Sequence, residues 1–319
     1  MDYVLSWQNI DNDGNSFVSG KRISTSCLPE LDYGITNNKQ RCLILYLSKN
    51  FSADIKEIDK LHLSLKFVKS QNAIVLTLKD LMFSNLFDDL IHSIYKEIHD
   101  KNEDKIIVQL FITTFLKWSE FFEDNTHSKM TKNEVQGLFG ELHVLHQLIK
   151  SNVGNIDALL SSWRGPYKEP HDFVFSKVDI EVKTIQTSKN SISITSEQQL
   201  ENHPDKGLLV SVISLNDDYL QGLTLKNKVE NIRQSILDFH GDYSLFYKAL
   251  SELELTSQNI AIYNNFKFTV ISDRQFNTQI DNFPKLTSKE LPKAISKLKY
   301  NLNLEQISEF EIERSYCVS

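Results

Sequence analysis

The spacing of apolar residues changes character along this chain. In roughly the first seventy-five residues, short apolar runs alternate with polar positions, and Asn, Asp and Gly fall between them. That pattern predicts strands over 4–7, 41–47 and 61–68. The period then lengthens. Met82, Leu86, Leu90, Ile94 and Ile98 recur every four residues, which predicts one helix, and the apolar run 106–122 predicts a second. A polar stretch at 123–130 (EDNTHSKM) reads as a linker. Beyond it, Leu138, Leu142, Leu145 and Ile149 line one face of a helix over 134–150, and Thr131 with Glu134 fits a capping box at its start. Further on, a strand over 192–195, a buried strand over 208–215 and a helix marked by Leu223, Val229, Ile232 and Ile236 are expected. A hairpin over 260–271, turning at Asn264-Asn265, completes the pattern. No internal repeat or low-complexity tract interrupts it.

The segment His171-Asp-Phe-Val-Phe-Ser-Lys-Val-Asp-Ile-Glu-Val-Lys183 carries the most chemistry. Phe173, Val174 and Phe175 form one strand candidate. Ile180, Val182 and Ile185 form another, with a polar turn over 176–179. Because side chains alternate, Glu181 and Lys183 share one face while Ile180 and Val182 share the other. A turn centred on Lys177 and Val178 would set Asp172 opposite Lys183 and diagonal to Glu181, at roughly 5–8 Å. A register slip of one residue would send Asp172 to the wrong face. Two carboxylates and an ammonium so placed are what a metal-dependent phosphodiesterase uses: oxygen ligands for a hard divalent cation and a cation beside the phosphate. The motif [Asp/Glu]-x-Lys also occurs at Asp54-Ile-Lys56 and Glu103-Asp-Lys105, there without an alternating apolar frame. A hairpin carrying ordinary surface ion pairs is the plain alternative.

A third acid shifts that balance. Glu141 sits at the edge of the apolar stripe of the 134–150 helix, where an unpaired carboxylate would be costly to bury; taken alone, a Glu141 that snorkels to the rim is the plainer reading. Gly137 and Gly140 each weaken the helix by about 1 kcal/mol relative to Ala, which suggests close backbone approach there.

In order along the chain stand Gly137-Leu-Phe-Gly-Glu-Leu142, Trp163-Arg-Gly-Pro166, His171-Asp-Phe173, Ile180-Glu-Val-Lys183 and Ser196-Glu-Gln-Gln-Leu200. Together they resemble an uncharacterised bacterial family of the PD-(D/E)XK nuclease superfamily, whose members sit beside restriction or phage-defence genes. The resemblance runs from the Trp7 region to Phe283-Pro284 and Tyr300 and is sharpest in the middle third. One departure is visible: His171 stands between Pro170 and Asp172. The resemblance implies an α/β (α+β) fold with a restriction-endonuclease-like mixed sheet flanked by helices. A β-rich recognition or partner-binding domain with helices (1–125) would precede a nuclease-like domain with a C-terminal extension (126–319), its core over about 131–215. It further implies that Asp172 and Glu181 ligate Mg2+ or Mn2+, with the Val182 carbonyl as a further oxygen. Glu141 would bind the metal directly or orient water on it, and Lys183 would orient or deprotonate the attacking water. Gln198 or Gln199 would contact phosphate or water, while Thr184 points to the other side of the strand.

Composition adds bounds. The net charge of −7 argues against a protein that coats nucleic acid nonspecifically. Locally, however, residues 163–190 hold five basic against four acidic side chains. Lys285, Lys289, Lys293, Lys297 and Lys299 form a second basic region. Lys293 and Lys297, four apart after Pro292, could meet phosphates on one helical face. Cys27, Cys42 and Cys317 show no metal-ligand or disulfide framework, the N-terminus lacks a signal-peptide pattern, and Gln109, Lys117 and Glu120 break the most apolar run. A cytoplasmic protein without a membrane span is expected. His143 and His146, with His171 and Asp172, make a poor zinc pattern on spacing alone. Neither a phosphate-binding GxxxxGK[ST] loop nor a Gly-x-Ser-x-Gly elbow is present. The expectation is a metal-dependent DNA endonuclease of a bacterial restriction or defence system. It would act with a helicase or ATPase partner, with a homodimer also compatible. The rival is a non-catalytic DNA-binding or scaffolding subunit that keeps the fold.

Overall fold

The computed structural model describes residues 5–8, 10, 12, 17–49, 51, 55–122, 130–151, 155–257, 259–292, 294–295 and 298–314. It divides into two compact units, Met1–Thr126 and His127–Ser319.

The first unit is built on an antiparallel sheet of β1 (Val18–Arg22), β2 (Glu30–Thr36), β3 (Arg41–Tyr46), β4 (Ile58–Asp59), β5 (Leu63–Val68) and β6 (Ala73–Leu78), in the order β1-β2-β3-β6-β5-β4. The central pair explains the burial. Cys42, Leu43, Ile44 and Leu45 of β3 and all of β6 are buried, so these strands carry apolar residues on both faces. Helices α1 (Ser84–Ile98) and α2 (Asp104–Ser119) follow. Leu86, Leu90, Ile94 and Ile98 are buried on α1 as the period predicts, whereas Met82 is exposed in the 3-10 turn Leu81–Phe83. Trp7 ties the N-terminal segment to sheet and helix. Its Nε1 donates to Asp88 at 3.0 Å, the Arg41 guanidinium lies 4.6 Å over its ring, and Tyr33 meets it edge-on. Val4 and the linker residues 123–129 lie outside the described residues, and residues 5–7 form no strand. Cys27 and Cys42 are buried free thiols; Cys317 is outside the described residues.

The second unit begins with α3 (Lys132–Lys150). Its capping box is present: the Thr131 hydroxyl accepts from the Glu134 N–H, and the Glu134 carboxylate accepts from the Thr131 N–H. Then come α4 (Ile156–Ser162), β7 (Phe173–Val174), β8 (Val178–Gln186), β9 (Ser191–Ile194), β10 (Gly207–Asp217), α5 (Leu225–Asp238), α6 (Tyr243–Glu252), β11 (Phe268–Asn277), β12 (Tyr300–Asn303) and β13 (Glu311–Ile312). The main sheet runs β13-β11-β10-β8-β7, with β8 and β10 parallel and the other pairs antiparallel; β9 pairs with β12 separately. This mixed sheet reaches well past residue 215, because β11 and β13 complete it. The region 260–271 is not a hairpin. Ile260–Tyr263 is a 3-10 turn, and β11 pairs with β10, where its apolar residues find a longer partner.

The faces of β8 do different work. On one, Ile185 joins Val210, Val212 and Phe276 in an apolar cluster closed by Ile192, Ile194, Leu200, Leu302, Ile307 and Phe310. On the other, Thr184 lies against Gly140 of α3. A Cβ at Gly140 would fall 1.9 Å from Thr184 Oγ1, so only glycine permits this approach. Gly137, which the sequence suggested for a similar role, has nothing within 4 Å of a built Cβ. Around the same helix, His143 Nε2 meets Asp273 Oδ2 at 3.2 Å and its Nδ1 meets Lys228 Nζ at 3.2 Å, while His146 Nε2 meets Ser235 Oγ at 3.2 Å. Burial pushes His146 down to about 4, and these histidines serve the packing of α3 on α5. Among the described residues, no helix is long and apolar enough to cross a membrane.

The two glycines give a matched test. Gly137→Ala should stabilise the protein by up to about 1 kcal/mol through helix propensity. Gly140→Ala should destabilise it by about 1–3 kcal/mol through overpacking. Thr184→Ala, which removes a buried hydroxyl lacking a partner, should restore most of that loss. Chemical denaturation of the single and double variants measures the coupling, and additive effects would show that the two residues do not meet.

Candidate active site

β8 sets the centre. Glu181 and Lys183 project from the same face, and Lys183 Nζ donates to Glu181 Oε1 at 2.7 Å. Glu181 is only 3% exposed, so the pair is sheltered from water on the sheet side.

The hairpin preceding it differs from expectation in register. Phe173 pairs with Ile180 and Val174 with Asp179, and the Phe175 N–H donates to the Val178 carbonyl at 3.2 Å. The turn therefore centres on Ser176 and Lys177, and Asp172 comes level with Glu181 instead of Lys183. The pairing moved by two residues, an even step, so Asp172 keeps the face on which the site depends. β7 begins only at Phe173, and the Val182 N–H, with no strand residue to meet, donates to Asp172 Oδ2 at 2.7 Å. N–H and C=O of one strand residue point the same way, so the Val182 carbonyl turns toward that edge too.

Glu141 arrives from α3, and Trp163 Nε1 donates to its Oε2 at 2.9 Å. The Trp163-Arg-Gly-Pro166 segment shapes the space between the acids. The Arg164 and Gly165 N–H groups donate to the Asp172 carbonyl at 2.7 and 3.1 Å. A Cβ on Gly165 would lie 2.3 Å from Glu141 Oε2 and 3.0 Å from Asp172 Oδ1, so any side chain there would displace the two carboxylates. Trp163 and Gly165 were visible in the sequence as parts of a motif but carried no assigned role. Their role depends on contacts across residues distant in the chain.

Three carboxylates facing one ammonium leave an excess of two negative charges when all are ionised. The consequence is a set of raised pKa values. Burial, then the Asp172 charge, pushes Glu141 up to about 8 despite the Trp163 hydrogen bond and Lys183. Burial raises Asp172, held back by the Val182 N–H and Lys183. Burial and Asp172 raise Glu181 well above the usual carboxylate range, against the pull of Lys183. Hard oxygen donors with a twofold negative excess fit a hard divalent cation such as Mg2+ or Mn2+, which would relieve this repulsion.

The remaining expected residues divide. Gln199, in the 3-10 turn Glu197–Leu200, accepts from Lys183 Nζ at 3.0 Å and from the Thr195 N–H at 2.9 Å, so it braces the lysine. Gln198 is exposed, its N–H donating to the Ser196 hydroxyl at 3.2 Å, and the structure gives it no contact with the four site residues. Lys293 and Lys297 lie outside the described residues.

Comparison with known proteins gives one family. Its model, described as "Putative PD-(D/E)XK family member, (DUF4420)", matches residues 4–305. The mixed sheet with flanking helices agrees with the restriction-endonuclease-like fold of that superfamily. No match arises among curated proteins or solved structures.

Relief of the carboxylate repulsion can be read as stability. Glu141 carries a proton in the folded protein up to about pH 8 but loses it near the usual 4.5 when unfolded. Its contribution to metal-free stability therefore falls as pH rises through that window. Glu141→Gln, which keeps an acceptor for Trp163, should match wild type near the lower bound in EDTA and melt higher at and above the upper one. Each kcal/mol relieved should add about 2–4 °C. Mn2+ should stabilise wild type more than the variant. An equal Tm for both proteins at every pH would show that Glu141 is not in a repulsive cluster.

Proposed function

The chain belongs to this PD-(D/E)XK family, and on that premise we propose that it is a metal-dependent endonuclease hydrolysing phosphodiester bonds in DNA. The observation that carries the reading is the convergence of Glu141, Asp172 and Glu181 with Lys183 at the edge of β8 where β7 begins.

Asp172, Glu181, Glu141 and the Val182 carbonyl would hold Mg2+ or Mn2+. When bound there, such an ion lowers the pKa of water and neutralises charge developing on phosphate. The protein's own groups set the rest. Glu181 and Gln199 hold the Lys183 ammonium at the acids, where it can orient the attacking water and offset charge on a phosphate oxygen. Trp163 fixes one Glu141 oxygen, leaving the other free to accept from water. The Val182 N–H fixes Asp172 in the same way. Gln199 thus acts by positioning Lys183. We further infer that the enzyme serves a bacterial restriction or phage-defence system. The first unit would recognise DNA or a partner such as a helicase or ATPase, as the resemblance of the ordered motifs implies.

Purified protein incubated with plasmid DNA and Mg2+ or Mn2+ should nick or linearise it. Asp172→Ala and Lys183→Ala should each slow cleavage by at least about 100-fold. Mn2+ binding measured by calorimetry should vanish in Asp172→Ala but survive in Lys183→Ala. That second measurement holds whether or not cleavage needs a partner. Cleavage unaffected by both substitutions would assign the activity to another site. Metal binding and cleavage both missing would favour the scaffolding role.

A further inference from the structure

His171, which interrupts the Pro-Asp motif, is 1% exposed, and neither of its ring nitrogens has a hydrogen-bond partner. A buried imidazole always carries at least one N–H or lone pair that needs a partner, and leaving it unmet costs on the order of 1–3 kcal/mol. The ring does not face apolar surroundings alone. Its Nδ1 lies 3.4 Å from Asp179 Oδ2, close without forming a hydrogen bond. The same carboxylate oxygen takes the Nδ1 of His203 at 2.5 Å, and the two imidazole rings meet edge to face at 5.1 Å. One potential ligand atom from each of His171, Asp179 and His203 lies within 4.8 Å of the others.

We propose that His171, Asp179 and His203 form a second metal site, taking a divalent first-row transition ion of the zinc class, separate from the carboxylate site. The donor set decides the class. Two imidazoles and one carboxylate suit zinc and its neighbours, whereas Mg2+ prefers oxygen donors throughout. Ligand atoms around a tetrahedral zinc at about 2.0–2.1 Å stand about 3.3 Å apart. The His171–Asp179 separation already matches, and His203 must withdraw by about 1 Å. His203 can do so, since its side chain is 38% exposed on the loop before β10. Three protein ligands leave a coordination position for water on that open side.

Among the described residues, Lys206 opposes an ion here. Its Nζ lies 3.5 Å from Asp179 Oδ1, the oxygen that the imidazoles do not use. It therefore partly neutralises the carboxylate and weakens the site without occupying it. The placement gives the ion a structural task. Asp179 lies two residues before Glu181 on the same face of β8, about 7 Å away along the strand. His171 is the neighbour of Asp172, and His203 follows the 3-10 turn that holds Gln199. An ion at this point clamps the hairpin, β8 and the 201–206 loop together, and so fixes the frame that aims Asp172, Glu181 and Lys183. The inference does not depend on the nuclease reading, because it concerns a different set of ligands.

Zn2+ titration against a chromophoric chelator, with Mg2+ in large excess, tests it. Wild type should bind one Zn2+ per chain that Mg2+ does not displace, with a rise in Tm. His203→Ala should weaken that affinity at least about 100-fold. Glu141→Gln should leave it unchanged. Lys206→Met should tighten it, a gain that a misfolded variant cannot imitate. Absence of Mg2+-resistant Zn2+ binding, or binding indifferent to His203→Ala, overturns the proposal. Zn2+ binding lost in Glu141→Gln overturns it too, since the ion would then sit among the carboxylates.

Discussion

Mutual repulsion among three sheltered carboxylates, restrained by a single lysine, is the constraint around which the second unit is organised. Glu141, Asp172 and Glu181 come from a helix, the start of a hairpin and a central strand; burial pushes the pKa of each upward, and the Asp172 charge raises Glu141 and Glu181 further. Such an arrangement opposes folding. It persists because neighbouring groups hold each acid individually: the Trp163 indole on Glu141, the Val182 amide on Asp172 and the Lys183 ammonium on Glu181. Each of those contacts leaves carboxylate oxygen available, so the cluster remains competent for a cation. Stability is given up at the place where a bound cation would gain from it.

Two glycines make the geometry attainable. Gly140 lets α3 lie against Thr184, which sets the height at which Glu141 meets the strand. Gly165 clears the volume into which Glu141 and Asp172 converge. The brevity of β7 matters as much. A longer strand would have paired with Val182 and taken the amide that instead orients Asp172. The apolar cluster on the acid-bearing face, closed by β9, β12 and the C-terminal turn, brings the Gln199 turn within reach of Lys183. The segment after β11 thus belongs to the body that frames the site.

The His171–Asp179–His203 group shows the same logic on the same strand. Alternation places Asp179 and Glu181 on one face, so two polar clusters of different donor chemistry lie side by side: one all oxygen, the other mostly nitrogen. A hard cation and a borderline one would sort between them by ligand preference alone. The family-level membership fixes the architecture and the nuclease-like class, while substrate, metal and biological setting rest on the chemistry of these residues.

Local relations were legible in the sequence. The capping box at Thr131, the buried stripe of α3 and the common face of Glu181 and Lys183 depend only on residues two to four positions apart, and helix and strand geometry fix those directly. The order of the ordered motifs identified the acids as a group. Distant relations required the folded chain. Nothing local distinguishes Gln199 from Gln198, a turn at Ser176-Lys177 from one at Lys177-Val178, or His171 and His203 from His143 and His146. Strands such as Glu30–Thr36, and the pairing of β11 with β10, were likewise set by what lay beside them. The sequence determined which side chains share a face, because backbone periodicity alone decides that. Which faces meet, and at what register, only tertiary packing could decide, because it depends on the fit of surfaces contributed by remote parts of the chain.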